Sequence, residues 1–172
     1  RAADIILTEY PEHGFRGEEF GERNGGSQKH LWWAVDPCDG SNGFKNHEAT
    51  ASVSLTLFRD STPILGVIFN PFTNELYTAA EGRKSGLNGR KLPIVHQKGL
   101  DTINYKLPKS AVRDLNTLAV LQLDEQVYRI LSQRGGPSYA LALVAKGSHS
   151  GFVMDCYRDA KPEDYSAGVL LV

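Results

Sequence analysis

The sequence predicts a mixed α/β fold, and three observations support this prediction. Apolar and polar residues alternate over residues 50–58, and apolar runs follow at 64–70 and 75–80, as in half-buried strands. Apolar residues recur at helical spacing over residues 123–132 and 138–146. The chain has 172 residues, of which 41% are hydrophobic and 23% charged, a composition ordinary for one globular domain or two small ones.

The first part of the chain is predicted to hold a helix and a further strand. Residues 1–10 match the end of a helix, which Pro11 terminates. Residues 32–35 are a short apolar run typical of a buried strand, and Asp36 follows directly. Because Pro37 disfavours helical geometry in the residue before it, we expect Asp36 at the end of an extended segment.

A hairpin and a change of pattern separate the two halves of the chain. Asn88 and Gly89 predict a type I′ turn, since both central positions of that turn need positive φ. Residues 93–109 show no clear period, so we place a domain boundary there. Beyond it, residues 152–154 are predicted to form a strand and residues 164–172 to begin a helix.

Charge and composition argue against several classes of partner. The formal net charge is -1 and the basic residues are scattered, so no basic stripe for nucleic acid is predicted. No apolar run reaches the roughly 18 to 20 residues that span a bilayer. The two cysteines, Cys38 and Cys156, lack the C-x-x-C spacing of a zinc or redox motif. We therefore expect a cytoplasmic protein with no nucleic-acid or membrane partner.

The strongest chemical signal is the run D-P-C-D-G-S at residues 36–41. Asp36 and Asp39 are separated by a proline-containing turn, so both carboxylates can reach one point. If Ser41 opens a helix, its amide groups can bind phosphate beside a cation held by the turn. The alternative is a surface turn with a capping aspartate. A helix-loop-helix calcium site is excluded, because position 12 counted from Asp36 is His47 instead of glutamate.

Two other acidic positions carry little weight when each is considered alone. Glu18 and Glu19 lie in a loop-like stretch, where a solvated acidic turn is the more common explanation. Asp164 lies at the predicted start of a helix, where aspartate is a good cap. Their significance depends on whether they belong to one pattern.

The order and approximate spacing of these motifs resemble those of the inositol monophosphatase superfamily. The motifs are G-E-E at residues 17–19, W-A-V-D-P-C-D-G-S at 33–41 and E-D-Y-S-A-G at 163–168. Segments at 66–71, 75–82 and 87–89 are similar to the family's strand and hairpin segments. The resemblance implies a layered α/β (α+β) sandwich of helices and two sheets, a homodimer, and a lithium-sensitive type of magnesium-dependent phosphatase.

The resemblance also implies a set of metal ligands. Glu18, Asp36 and the backbone carbonyl of Cys38 would hold one Mg²⁺, and Asp36, Asp39 and Asp164 would hold a second. Ligands that are all oxygens suit a hard cation such as Mg²⁺, for which Mn²⁺ can substitute. Two such ions can activate a water molecule and neutralise the leaving alkoxide in an in-line attack on phosphorus.

The remaining roles follow from the same resemblance. The catalytic residues would be Glu18, which helps activate the water, together with Ser41, which orients it, and Asp39. Glu19 would support the metal ligands from behind. The residues implied to bind substrate are Asp39, Gly40, Ser41, Ser138 and Asp155, the last only if two positions are inserted.

Some features depart from the family pattern. Gly43 stands where the family usually has asparagine, and Glu163 replaces the tryptophan before Asp164. The family has two helices and a water-orienting aspartate before the part matched here, and more sheet and helix after it. We therefore expect a metal- and phosphate-binding sheet domain at residues 1–92, truncated at its start, and a smaller α/β domain at 93–172, truncated at its end.

Three functions remain open on the sequence. The first is hydrolysis of a small phosphorylated alcohol such as inositol monophosphate, with sugar phosphate and histidinol phosphate as related substrates. The second is a 3′(2′),5′-bisphosphate nucleotidase, in which Arg158 and Lys161 would bind the second phosphate. The third is a non-catalytic interaction module that keeps the fold.

Overall fold

A computed structural model describes residues 2–19, 21–23, 30–93, 102–106, 129–132, 135–154 and 161–172. The strands of the larger sheet are β1 Gly14–Gly17, β2 Gly21–Arg23, β3 Leu31–Asp39, β4 Ser52–Arg59, β5 Thr62–Asn70, β6 Glu75–Ala80, β7 Gly86–Leu87 and β8 Arg90–Lys91. The strands of the smaller sheet are β9 Thr102–Lys106, β10 Arg129–Ser132 and β11 Gly151–Met154. The helices in these ranges are α1 Ala2–Glu9, α2 Ser41–Lys45, α3 Pro137–Lys146 and α4 Pro162–Leu171.

The larger sheet has the strand order β2-β1-β3-β4-β5-β6-β7-β8. Strand β1 runs parallel to β3, and the strands from β3 to β8 pair with their neighbours in antiparallel fashion. Short turns connect the strands from β4 to β8, whereas helix α2 lies between β3 and β4. The smaller sheet has the order β10-β9-β11, and its strands are parallel.

Helices cover both faces of the larger sheet. The first core cluster places α3 and α4 against β5 and β6 through Ile68, Tyr77, Ala79, Leu87, Tyr139, Ala142, Ala167 and Leu171. The second places α1 against the other face through Ala3, Ile6, Phe15, Trp33 and Val35. Because side chains alternate between the faces of a strand, each strand contributes to both layers. This helix-sheet-helix arrangement confirms the predicted layered α/β fold.

Proline and glycine define the ends of the helices that cover the site. Pro137 and Pro162 occupy the first turns of α3 and α4, where a missing N–H costs nothing and the proline φ suits a helix. Gly147 ends α3 with a φ of 83°, a left-handed conformation that glycine adopts without steric penalty. None of the described helices is long and apolar enough to cross a bilayer.

The structure tests the predicted elements individually. The strands predicted from alternation are present, and Asn88 and Gly89 form the predicted turn with φ values of 48° and 78°. The helix predicted over residues 123–132 is wrong for its last four residues, which form strand β10. A short apolar run fits a buried strand as well as a helix, so periodicity alone did not separate the two. Residues 123–128 lie outside the described residues.

The division of the chain at residue 92 stays a prediction. The segments on either side of it are in contact, because α3 and α4 pack on the sheet formed by residues before 92.

Candidate functional site

A bulge in β3 places Asp36 and Asp39 on the same face of the larger sheet. Asp36 pairs with Ser54 and Asp39 pairs with Ser52, so three steps along β3 match two steps along β4. Residues two apart on a regular strand share a face, and cross-strand partners share it as well. Pro37 has no N–H for the ladder, which suits a bulge at this point. The bulge thereby brings together two carboxylates that regular alternation would separate.

Asp36 lies at the centre of the acidic cluster. Its side chain is only 3% exposed, and its Oδ1 accepts the backbone N–H of Cys38 at 2.8 Å. The pKa of Asp36 is raised from 3.8 to about 7, first by burial and then by the negative charges of Glu18 and Asp164, against the Cys38 hydrogen bond, which lowers it. Glu18 and Asp164 are therefore both close enough to act on Asp36.

The parallel pairing of β1 with β3 brings Glu18 to this position. Gly17 pairs with Val35, and the N–H of Glu18 donates to the Val35 carbonyl at 3.3 Å. Glu18 is exposed, and its carboxyl group also hydrogen-bonds to Asp36. Glu19, the predicted supporting residue, is exposed as well.

Asp164 reaches the cluster from the first turn of α4. Its Oδ2 accepts the N–H of Lys161 at 2.9 Å. Lys161 is the N-cap residue, so Asp164 makes the return contact of a capping box and is not the cap itself. The backbone carbonyl of Asp164 lies 2.8 Å from the Ser138 hydroxyl. One oxygen of Asp164 is thus occupied by the cap, while its charge still acts on Asp36.

Asp39 is bound at the start of α3. It is 2% exposed, and its Oδ2 accepts the N–H of Ser138 at 3.0 Å and the hydroxyl of Ser52 at 3.4 Å. The N-terminus of a helix favours negative charge, because its amide dipoles point toward it. A Cβ atom at Gly136 would overlap the Asp39 carboxylate, so this close approach requires glycine.

Ser138 has no exposed surface, which argues against the substrate contact implied by the resemblance. Its hydroxyl lies between Ser54 Oγ at 3.1 Å and the carbonyl of Asp164, while its N–H binds Asp39. Ser138 therefore connects two of the acidic residues from within the core.

The turn after Asp39 has the geometry that the sequence predicted. Gly40 has a φ of 85°, and α2 begins at Ser41. A Cβ atom at Gly40 would lie 2.5 Å from the backbone nitrogen of Gly136, so both backbone conformation and space require glycine. Ser41 is exposed beside the acidic cluster.

Other predicted site residues are only partly defined. Cys38 is half-buried, and burial followed by the charge of Asp36 raises the pKa of its thiol. Lys161 is exposed at the start of α4. Asp155 and Arg158 lie outside the described residues.

The sequence prediction missed Ser52, Ser54 and Gly136. Alternation over residues 50–58 put Ser52 and Ser54 on the polar face, which is the exposed face of a half-buried strand, whereas the structure buries both. Nothing local marked Gly136 as the neighbour of Asp39.

The residue types fit a magnesium site, although the side chains are not arranged as in a filled one. Among the described residues, no three His, Cys, Asp or Glu side chains converge closely enough to hold a metal ion as they stand. Within the same ranges, no ion pair joins Glu18, Asp36 or Asp164 to a lysine or arginine. Glu18 and Asp164 therefore place negative charge around the buried Asp36. A hard cation bound among these carboxylates would offset that repulsion.

A family comparison decides the identity of the fold and its motifs. The model of the inositol monophosphatase family matches residues 2–172. The chain belongs to the inositol monophosphatase family. The matched range includes the acidic cluster of Glu18, Asp36, Asp39 and Asp164.

Individual relatives of the inositol monophosphatase family agree with this assignment. An inositol-1-monophosphatase from Rhizobium meliloti is 34% identical over 100% of this chain and 66% of that protein. A fructose-1,6-bisphosphatase/inositol-1-monophosphatase from Aquifex aeolicus is 28% identical over 100% of this chain and 64% of that protein. The Nus factor SuhB of Escherichia coli is 32% identical over 98% of this chain and 63% of that protein.

Solved structures give the same picture. The extragenic suppressor protein suhB from Bartonella henselae superposes with a TM-score of 0.86 at 27% identity, over 98% of this chain and 64% of that chain. Inositol monophosphatase from Anabaena superposes with a TM-score of 0.80 at 26% identity, over 98% of this chain and 67% of that chain. The chain thus spans about 64% of the length of the first relatives it matches.

Proposed function

We propose that the protein is a Mg²⁺-dependent phosphomonoesterase that hydrolyses a small phosphorylated alcohol such as inositol monophosphate. The observation that carries this proposal is the electrostatic coupling of Asp36 to Glu18 and Asp164, which come from three separate elements. Repulsion of this kind destabilises the folded protein, so a structural role alone gives no reason for it. Binding of a divalent cation gives one.

The proposed ligands are the ones implied by the family motifs. Glu18, Asp36 and the carbonyl of Cys38 would hold one Mg²⁺, and Asp36, Asp39 and Asp164 a second. When bound, Mg²⁺ supplies a lowered pKa for a bound water molecule and positive charge against the phosphate. Because Asp36 and Glu18 share a hydrogen bond, binding requires that this contact and its proton be released.

The residues around the metal site have distinct proposed roles. Glu18 is exposed beside Asp36 and accepts a proton from the attacking water, while Ser41 orients that water. The amide groups of Gly40 and Ser41 hold the phosphate at the start of α2. For the buried Ser138 we propose a positioning role in place of substrate contact, since it holds Asp39 and Asp164.

The proposed reaction is a single displacement. The water oxygen forms a bond to phosphorus as the ester P–O bond breaks, the water proton passes to Glu18, and the leaving alkoxide takes a proton from solvent. No covalent intermediate with the protein is required.

Two other functions have their own support. Lys161 is exposed at the start of α4, where it could bind a second phosphate, as a bisphosphate nucleotidase needs. Histidinol and sugar phosphates are further substrate candidates.

A non-catalytic module is supported by the similarity to proteins named Nus factor SuhB. A homodimer and a cytoplasmic location are also proposals.

The decisive experiment measures phosphate release from a panel of phosphate monoesters, with Mg²⁺ and with EDTA. Asp39→Asn should abolish release, because the amide oxygen can still accept from Ser138 but the negative charge is lost. Asp60→Asn is the matched control, since Asp60 is exposed and has the positive φ of 53° that asparagine tolerates. Release that persists in EDTA, or in Asp39→Asn, would contradict the proposal. Mg²⁺ binding without release from any ester would favour the module.

A further inference from the structure

An ion pair with one buried partner lies next in sequence to two residues of the acidic cluster. Glu163 is 2% exposed, and its Oε1 lies 3.4 Å from Nε of Arg16. No donor among the described residues contacts the other oxygen, Oε2. Arg16 is about one third exposed and also contacts the exposed Glu22 at 3.4 Å. A buried carboxylate needs its cationic partner, because burial without one strongly disfavours the charged form.

The positions of the two residues connect this pair to the site. Arg16 lies in β1, two residues before Glu18, and pairs with Ala34 of β3. Glu163 lies in the first turn of α4, directly before Asp164. The ion pair therefore links the strand that carries Glu18 to the helix that carries Asp164.

The negative charges of Glu18 and Asp164 each act unfavourably on an ionised Asp36, so repulsion from Asp36 tends to move away the segments that carry them. The Arg16–Glu163 ion pair lies two residues before Glu18 and one residue before Asp164, and its attraction opposes that separation. The tryptophan of the family motif at position 163 could not supply it, so the arrangement depends on the residues of this chain.

We propose that Arg16 and Glu163 are positioning residues that hold Glu18 and Asp164 at the spacing required for divalent-cation binding. This inference rests on the proposed function and adds residues to the same site. Neither side chain is proposed to touch the cation or the substrate. A purely structural pair would affect folding stability without affecting cation affinity.

The test is Mn²⁺ binding to the full chain, measured by calorimetry and by the electron paramagnetic resonance signal of free Mn²⁺. The variants are Arg16→Leu, Glu163→Leu, their double variant and the charge-keeping Arg16→Lys. Each single leucine variant should weaken binding about tenfold to a hundredfold, as loss of residues behind metal ligands usually does. Arg16→Lys should bind Mn²⁺ much more tightly than Arg16→Leu and nearly as tightly as the wild type.

The double variant separates positioning from folding. Replacing a buried ion pair by apolar residues is often neutral for stability, so its thermal midpoint should return toward that of the wild type while Mn²⁺ binding stays weak. Arg59→Leu is the control, because it breaks the exposed Arg59–Glu81 pair of the same sheet and should leave binding unchanged. If affinity returns together with stability, or if the single variants bind Mn²⁺ as wild type does, the inference is overturned.

The same titrations distinguish this inference from the proposed function. Wild-type binding that Asp36→Asn abolishes establishes the cation site, whatever the Arg16 variants do. Wild-type protein that binds no Mn²⁺ would overturn both proposals. If a single leucine variant does not fold, Arg16→Lys and the double variant still give the comparison.

Discussion

The backbone N–H of Ser138 donates a hydrogen bond to Oδ2 of Asp39 at 3.0 Å, although 99 positions separate the two residues in sequence. The contact joins the end of strand β3 to the beginning of helix α3, and neither side chain is exposed to any extent. The orientation of Asp39 is therefore set by a backbone group in a different element.

Gly136→Ala should remove activity and also lower stability, since the added atom enters a buried, closely packed site. The added Cβ atom would overlap the Asp39 carboxylate, whereas the φ of -77° at Gly136 is acceptable for alanine. Misplacing a catalytic group by about 1 Å can lower kcat/KM about a hundredfold. Gly82→Ala is the control. It should lose stability, because its φ is +69°, but it should keep activity, because its Cβ would meet nothing within 4 Å. Steady-state phosphate release and thermal unfolding of both variants check this prediction. Equal activity in the two variants would contradict it.

Ser138→Ala should weaken the binding of Mg²⁺ and lower the stability of the fold. The substitution keeps the N–H that binds Asp39 but removes the hydroxyl contact to the Asp164 carbonyl. Loss of such a buried hydrogen bond costs about 1–3 kcal/mol. Ser85→Ala removes the matching hydroxyl contact to the carbonyl of Leu171, at the other end of α4. We expect both variants to lose stability in urea unfolding, and only Ser138→Ala to need about tenfold more Mg²⁺ for half-maximal activity. A parallel shift in Ser85→Ala would show that stability alone sets the Mg²⁺ requirement.

Asp36→Asn should stabilise the metal-free protein at neutral and higher pH. Folding raises the pKa of Asp36 from 3.8 to about 7, so the folded state binds more protons than the unfolded state between these values. Stability must then fall as pH rises from about 4 through 7. At about 1.36 kcal/mol per pKa unit, the penalty relieved by asparagine is bounded at about 4 kcal/mol.

Urea unfolding in EDTA at pH 5 and pH 8 measures this effect. The variant should gain more over wild type at pH 8 than at pH 5. Added Mg²⁺ should raise the midpoint of the wild type and leave that of Asp36→Asn unchanged. A variant less stable than wild type at pH 8 in EDTA would contradict the prediction.

Glu75 should affect the pH dependence of stability in the direction opposite to that of Asp36. Burial alone would raise the pKa of Glu75, but hydrogen bonds from Lys146, Tyr139 and Tyr77 outweigh it, and the pKa is lowered below 4.5. The two tyrosine hydroxyls lie 2.8 and 3.0 Å from Oε2. A lowered pKa gives stability that is complete above pH 4.5 and is lost as pH falls through the folded value. This loss falls below the pH range in which Asp36 titrates, so the two contributions can be separated.

The substitution that tests this contribution is Glu75→Gln. It should lower the free energy of unfolding at pH 7 by about 2–3 kcal/mol, since hydrogen bonds to charged groups are strong. In denaturant unfolding, the variant's free energy of unfolding should also fall less steeply than that of the wild type between pH 5 and pH 3. Glu81→Gln serves as the control, because Glu81 forms only an exposed ion pair with Arg59 and should change stability by less than about 1 kcal/mol. An unchanged acid limb in Glu75→Gln would contradict the assignment.

Much of the fold could be predicted because its strands are local in origin. Alternation over residues 50–58 and the turn at Asn88 and Gly89 depend on neighbours in sequence, and both predictions are confirmed. The prediction over residues 123–132 was wrong at residues 129–132 because a strand in a parallel sheet is apolar on both faces and shows no period of two. Its identity depends on the neighbouring strand β9.

The features of the site also divide into those set by local sequence and those set by tertiary contacts. The sequence by itself determined that Ser41 begins a helix, because φ preferences act over a few residues. It predicted a proline turn between Asp36 and Asp39, where the structure has a bulge within β3. Only the tertiary structure decided that Ser138 holds Asp39 and that Arg16 faces Glu163. Those contacts join residues that lie far apart in the chain, and they form only when the helices pack on the sheet. Their energy depends on burial, which no local pattern specifies.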